Sequence, residues 1–171
     1  IDNHLTLGEQ AFSRGDLAGA LTHWGEALMQ ARSDGDAASE LEALLRLASA
    51  HRELGRLQTA EDSLTAAAAL AAGLGDDSAT ARVQTAEGLL ALHAGDPRRA
   101  EKRLLKAFRA AQQASAPTTA ANAAVNLGLA RAALGRTDDA AKAYGAAETL
   151  FESLGDRDGL ADVAVNRAVL A

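Results

Sequence analysis

Glycine recurs in this chain at a fixed interval of 40 residues, at Gly15, Gly55, Gly95 and Gly135. Alanine stands five residues after each of them, at Ala20, Ala60, Ala100 and Ala140, and seven residues further on at Ala27, Ala67, Ala107 and Ala147. Agreement at three positions in four copies is an internal repeat, and a repeat of this kind has to be recognised before any local motif is believed. The tripeptide Arg14-Gly15-Asp16, which looks like an integrin-binding signal, illustrates why. Gly15 is one of four equivalent glycines and its neighbours do not repeat with it, so the tripeptide reads as a turn.

Each unit holds a second turn, at Gly35, Gly75 and Gly155, with Ser115 in the third copy. Asp36, Asp76 and Asp156 follow, placed to cap the next helix through a side-chain oxygen. Between turns the apolar residues fall three and four apart, as in Leu41, Leu44, Leu45 and Ala48, which is the spacing of a helix face. Pro97 and Pro117 sit just after turns, where a helix begins and a missing N–H costs nothing. The pattern predicts inner or A helices over residues 1–14, 37–54, 77–94, 117–134 and 158–171. It predicts B helices over 17–34, 57–73, 97–114 and 137–154.

No strand signal interrupts this alternation, so the expected fold is all-α: a single right-handed α-solenoid of helix-turn-helix units. The units are 1–40, 41–80, 81–120 and 121–160, with 161–171 as the start of a fifth. Composition agrees. The chain is 48% hydrophobic but only 3% aromatic, and a core with so few large side chains closes only if backbones approach closely, as packed helices can. The formal net charge of −6 argues against nucleic acid as a partner. Without cysteine there is no disulfide framework and no thiolate chemistry. The longest apolar run, Leu64 to Leu74, is too short for a bilayer span and no signal-peptide pattern precedes the first unit. The expectation is a cytoplasmic protein without membrane contact. The chain begins at Ile1 rather than methionine and reads as a piece of a longer protein.

Small residues also recur at unit position 8 (Gly8, Ala48, Gly88, Gly128, Ala168), and bulky ones at position 24 (Trp24, Leu64, Leu104, Tyr144). With glycine at 15 and alanine at 20 and 27, this pattern resembles the tetratricopeptide repeat over the whole chain. The proline usual near position 32 is absent, with Arg32, Ala72, Gln112 and Glu152 in its place. Its absence lets helix B run on and accounts for a period longer than the usual one of about 34. The lengthened unit is similar to those of Pins-type adaptors, kinesin light chains and bacterial signalling proteins of the family, and the alanine- and arginine-rich style leans bacterial. Three charges depart from the pattern: Glu87 and Arg167 at position 7, and Arg131 at position 11. Charge on a buried stripe is expensive unless paired. Either those stripes are partly open, or Glu87 and Arg131 pair between neighbouring A helices.

Nothing in the sequence assembles a catalytic site. His4, His23, His51 and His93 read as scattered over different units without metal spacing, and no metal site or cofactor is expected. No phosphate-binding loop occurs, because the glycines belong to the turns. Arg98, Arg99, Lys102, Arg103, Lys106 and Arg109 crowd one B helix, and read first as a solvated outer face paired to Glu101 and Asp96, second as a docking patch for an acidic partner.

The resemblance implies a non-enzymatic interaction module whose A helices line a concave groove for a peptide or partner helix. Helical spacing puts unit positions 2, 6, 9 and 13 on that face, flanked by 5 and 12. The N-terminal half of the face is then charged, with Arg46 and Arg52 among carboxylates, and Arg82 beyond them. The C-terminal half has an apolar floor including Leu89, Leu92, Val125, Leu129, Val165 and Val169, studded with Asn122, Asn126 and Asn166. In the longer-repeat relatives an asparagine at position 6, matched here by Asn126 and Asn166, holds the backbone of a bound peptide. Two alternatives compete: a segment that self-associates through its exposed ends, and a ligand-sensing arm serving an effector domain elsewhere in the protein.

Overall fold

The computed structural model describes residues 1–170 and contains, among them, nine helices and no strand. It divides into two compact units, Ile1–Asp76 and Asp77–Ala171. The N-terminal unit holds α1 (Asp2–Ser13), α2 (Leu17–Asp34), α3 (Ala37–Glu53) and α4 (Leu57–Leu74). The C-terminal unit holds α5 (Asp77–His93), α6 (Pro97–Gln113), α7 (Pro117–Ala133), α8 (Thr137–Leu154) and α9 (Arg157–Ala168). Within each unit successive helices pack on one another, and α5 also lies against α7. The architecture is an all-α solenoid of helix-turn-helix units. Most boundaries fall within a residue of the sequence expectation; α9 stops at Ala168, and the predicted end at 171 lies outside the described residues.

The turns explain the periodic glycines. At Gly15 φ is +77°, a left-handed conformation that side chains disfavour. There the Gly15 N–H donates to Phe12 O (2.9 Å) and the Asp16 N–H to Ala11 O (2.9 Å), which closes the end of α1. Asp16 then caps α2, its Oδ1 accepting from the Gly19 N–H at 2.8 Å. Arg14-Gly15-Asp16 is thus the joint between two helices. Asp36, Asp96 and Asp156 cap α3, α6 and α9 in the same way, each at 3.0 Å.

The alanines at positions 20 and 27 are 0% exposed in all four copies, because a larger side chain there would hold helices A and B apart. The bulky residue at position 24 fills the remaining space. Trp24 lies against Gly8, Leu104 against Gly88 and Tyr144 against Gly128, so closely that a Cβ on any of these glycines would collide with its partner. The Trp24 indole N–H donates to Leu5 O at 3.2 Å, and the ring packs beside Phe12 with centroids 5.4 Å apart. Trp24 and Tyr144 are each 1% exposed.

A further large-small pair, Phe151 against Gly159, joins α8 to α9. Val163 of the last helix is buried in a cluster with Tyr144, Phe151, Ala121 and Ala124 because Phe151 reaches across to it. Val165 and Val169 do remain open, at 66% and 82% exposure.

Two glycines on one helix pair separate packing from backbone propensity. Gly128→Ala should destabilise by about 1–3 kcal/mol, because the Tyr144 ring has to move. Gly145→Ala, on α8 where an added Cβ meets nothing within 4 Å, should stabilise by about 0.5–1 kcal/mol. Urea unfolding of both variants measures the difference, and equal signs would contradict the packing described.

Candidate functional site

The eight residues expected on the binding face divide between the two units. Arg46 and Arg52 lie on α3 of the N-terminal unit. Arg82 and Leu89 lie on α5, Asn122, Asn126 and Leu129 on α7, and Asn166 on α9. Exposure follows the predicted spacing: Thr6, Glu9 and Ser13 are open on α1, Arg82 and His93 on α5, and Asn122 and Ala133 on α7.

In the N-terminal unit the face is closed by its own charges. Arg46 on α3 pairs with Glu9 across on α1, and its Nε donates to Glu42 Oε1 at 2.8 Å one turn earlier. Arg52 is less accessible than expected. Its side chain is 15% exposed, its Nη2 donates to Glu53 at 2.7 Å, and its Nε is buried without a hydrogen bond.

In the C-terminal unit α5 and α7 lie side by side and present Arg82, half-buried Leu89 and Leu129, and the amides of Asn122 and Asn126. The Asn126 amide donates to Asn122 O at 2.9 Å, which uses one of its two N–H groups. Leu92 and Val125 are not free floor residues. Leu92 packs on the core cluster of Ala91, Leu104 and Leu127, and Val125 on that of Tyr144 and Phe151. Asn166 is half-buried on α9, which rests on α8.

The misplaced charges all find partners, though not the expected ones. Glu87 does not pair with Arg131: it takes Arg103 of α6 at 3.2 Å, while Arg131 donates to Glu101 Oε1 at 3.1 Å and to Asp139 O at 3.2 Å. Position 7 and position 11 look toward the flanking B helix, which brings α6 carboxylates and cations nearer than the next A helix. Glu101 therefore serves Arg131 and Arg136 (2.7 Å) rather than the cations of its own helix. Arg136 also binds Asp139 at 2.8 Å, and that hydrogen bond holds the Asp139 carboxyl below its usual range. Arg167 reaches Glu148 at 2.7 Å. On α6, Lys102, Lys106 and Arg109 surround a surface depression of about 470 Å³ with Leu105 on its wall.

Contrary to the expectation from the sequence, the histidines are not all scattered over different units. His4 and His23 share the first helix pair, and with Glu26 their ligand atoms lie within 4.8 Å of one another. The sequence carried a signal: Gly8 and Trp24 are the contact pair of that unit, so residues beside them, four back on α1 and one back on α2, had to meet.

No helix among the described residues is long and apolar enough to cross a membrane. Glu101 is the test of the ion-pair network. Both partners are mostly covered, at 19% and 18% side-chain exposure, so Glu101→Gln should cost about 1.5–3 kcal/mol. Glu148→Gln, which removes the more open partner of Arg167, should cost about 0.2–1 kcal/mol. Denaturant midpoints compare the two, and a larger loss at Glu148 would contradict the ranking.

Among known proteins, residues 39–113 match the tetratricopeptide repeat family model. No curated protein sequence matches the chain. A signal-transduction ATPase with numerous domains and a tetratricopeptide repeat sensor, from Pyrococcus horikoshii, superposes with a TM-score of 0.79 at 18% identity, over 98% of this chain and 25% of that one. A Rap protein solved in complex with competence and sporulation factor gives 0.81 at 16% identity, over 93% and 45%. A thermophilic tetratricopeptide protein of Thermus thermophilus gives 0.62 at 23% identity, over 99% and 91%. This chain thus spans less than half the length of the first two. Residues 39–113 thus carry the tetratricopeptide repeat pattern, and the chain shares its fold with tetratricopeptide repeat proteins along its length.

Proposed function

We propose that the chain is a non-enzymatic interaction module that holds an extended peptide or a partner helix against the open face of α5 and α7. Tetratricopeptide repeats are protein-interaction modules, and the reading rests on one observation beyond the fold. On α5 and α7, partly exposed Leu89 and Leu129 lie with the amides of Asn122 and Asn126 and with Arg82, a combination of apolar contact and backbone hydrogen bonding. An extended peptide needs both, because its backbone donors and acceptors are unpaired in the free state. The corresponding face of the N-terminal unit offers less, since Arg46 is bound to Glu9 and Glu42. Asn166 on α9 would extend the same recognition to a longer ligand. The Rap protein's complex with competence and sporulation factor supports a ligand of this kind, and the sensor repeats of the Pyrococcus protein support a role as the sensing arm of a larger regulator.

A second reading places an acidic partner on α6, where Lys102, Lys106 and Arg109 gather around an open depression. Self-association is the third, favoured by the exposure of Val165 and Val169, and light scattering across concentration addresses it. To separate the first two, a peptide selected on the intact chain from a displayed random library serves as the probe. Asn126→Ala and Asn166→Ala should each weaken its binding by about 0.5–1.5 kcal/mol while leaving the melting temperature nearly unchanged. Arg82→Ala should matter more for acidic peptides, and less as salt rises. Lys102→Ala and Lys106→Ala should leave binding intact. If the lysine variants abolish binding and the asparagine variants do nothing, the open face of α5 and α7 is not the site.

A further inference from the structure

We propose that His4, His23 and Glu26 form a binding site for one divalent transition-metal cation of the zinc class between α1 and α2. His23 and Glu26 are three residues apart on α2 and so share a face, and His4 comes to them from α1. Glu26 Oε2 lies 2.9 Å from His4 Nδ1 and 3.6 Å from His23 Nδ1. An ion held at about 2.0–2.2 Å by imidazole and carboxylate in tetrahedral geometry separates its ligand atoms by about 3.3–3.6 Å. The two observed separations bracket that value, and all three ligand atoms lie within 4.8 Å of one another. The imidazole centroids are 5.9 Å apart and tilted by 33°, which leaves both rings able to aim at one point.

Hydrogen bonding leaves the two nitrogens available. Both Nδ1 atoms are shielded from solvent and neither makes a hydrogen bond, the 2.9 Å approach to Glu26 being misaligned for one. Shielded ring nitrogens without a hydrogen-bond partner are costly, and a cation would satisfy both at once. The residues themselves remain reachable, with side-chain exposures of 33%, 34% and 44%.

The scaffold beneath these ligands is rigid. Trp24, next to His23, presses on Gly8 and donates its indole N–H to the carbonyl of Leu5, next to His4. The contact that fixes the crossing of α1 and α2 therefore also fixes the backbone positions of both histidines, as a preorganised site requires.

The donor set selects the ion. Two imidazole nitrogens suit zinc, nickel and copper, whereas magnesium and calcium take oxygen ligands. Three protein ligands leave one coordination position open to water or to a side chain from another molecule. His51 and His93 offer no comparable cluster among the described residues. His51 is partly buried near Arg56, and burial first and that charge second hold its imidazole below the usual range.

The experiment uses the tag-free chain after chelator treatment, with cobalt(II) as a spectroscopic probe and zinc(II) as competitor. One equivalent of cobalt(II) should give visible ligand-field absorption that one equivalent of zinc(II) abolishes, while excess magnesium leaves it unchanged. His4→Gln, His23→Gln and Glu26→Gln should each weaken zinc binding by about 10-fold or more. His51→Gln and His93→Gln should bind as the parent chain does. Zinc should also raise the melting temperature of the parent chain, since it binds only the folded state. In case a site variant fails to fold, imidazole resonances of the parent chain give the same answer: zinc should shift those of His4 and His23 and not those of His51 and His93. No binding by the parent chain, equal binding by the site variants, or resonance shifts at His51 or His93 instead would overturn the assignment.

Discussion

The contact between a bulky residue at position 24 and a backbone at position 8 is what the rest of the structure depends on. It sets how closely helices A and B cross, and everything nearby is sized to it. Gly8 accommodates Trp24, Gly88 accommodates Leu104 and Gly128 accommodates Tyr144. The fully covered alanines at positions 20 and 27 complete the joint. With only 3% aromatic residues, the chain places its large rings where one side chain can fill the gap left by several small ones. Trp24 and Tyr144 are both in that position, and Phe151 does the same work at the junction with α9.

That economy has a consequence for charge. A core made of alanine is thin, so positions 7 and 11 lie close enough to the surface for Glu87 and Arg131 to reach partners on α6 at the edge of the helix pair. The resulting network, Glu87 with Arg103 and Glu101 with Arg131 and Arg136, ties α6 to both α5 and the start of α8. Arg131 and Glu101 are covered enough for the pairing to affect stability, whereas the more open Arg167–Glu148 pair is screened by water.

The same joint governs what the surface can offer. On α5 and α7 the residues left outside the packed positions are leucines at the margin of the core and asparagines on the open side, so apolar and hydrogen-bonding groups fall together. On α1 and α2 the Trp24–Gly8 contact brings His4 to His23 and Glu26. Both proposed sites follow from where the repeat puts its unconstrained positions.

Much of this was legible in the chain before it folded. The period of 40, the turn glycines, the caps at Asp36 and Asp156 and the extents of the helices follow from local rules: left-handed backbone at glycine, a side-chain oxygen at a helix start, apolar residues three and four apart. The 8/24 pairing was legible too, because repetition marks positions that share a contact. What the sequence could not decide was the partner of any residue that does not repeat. Glu87 chose Arg103 over Arg131, Val163 was covered by Phe151, and two histidines nineteen residues apart came to share one carboxylate. Those outcomes depend on the angle and register at which one helix crosses the next, and that geometry exists only once the side chains between them have packed.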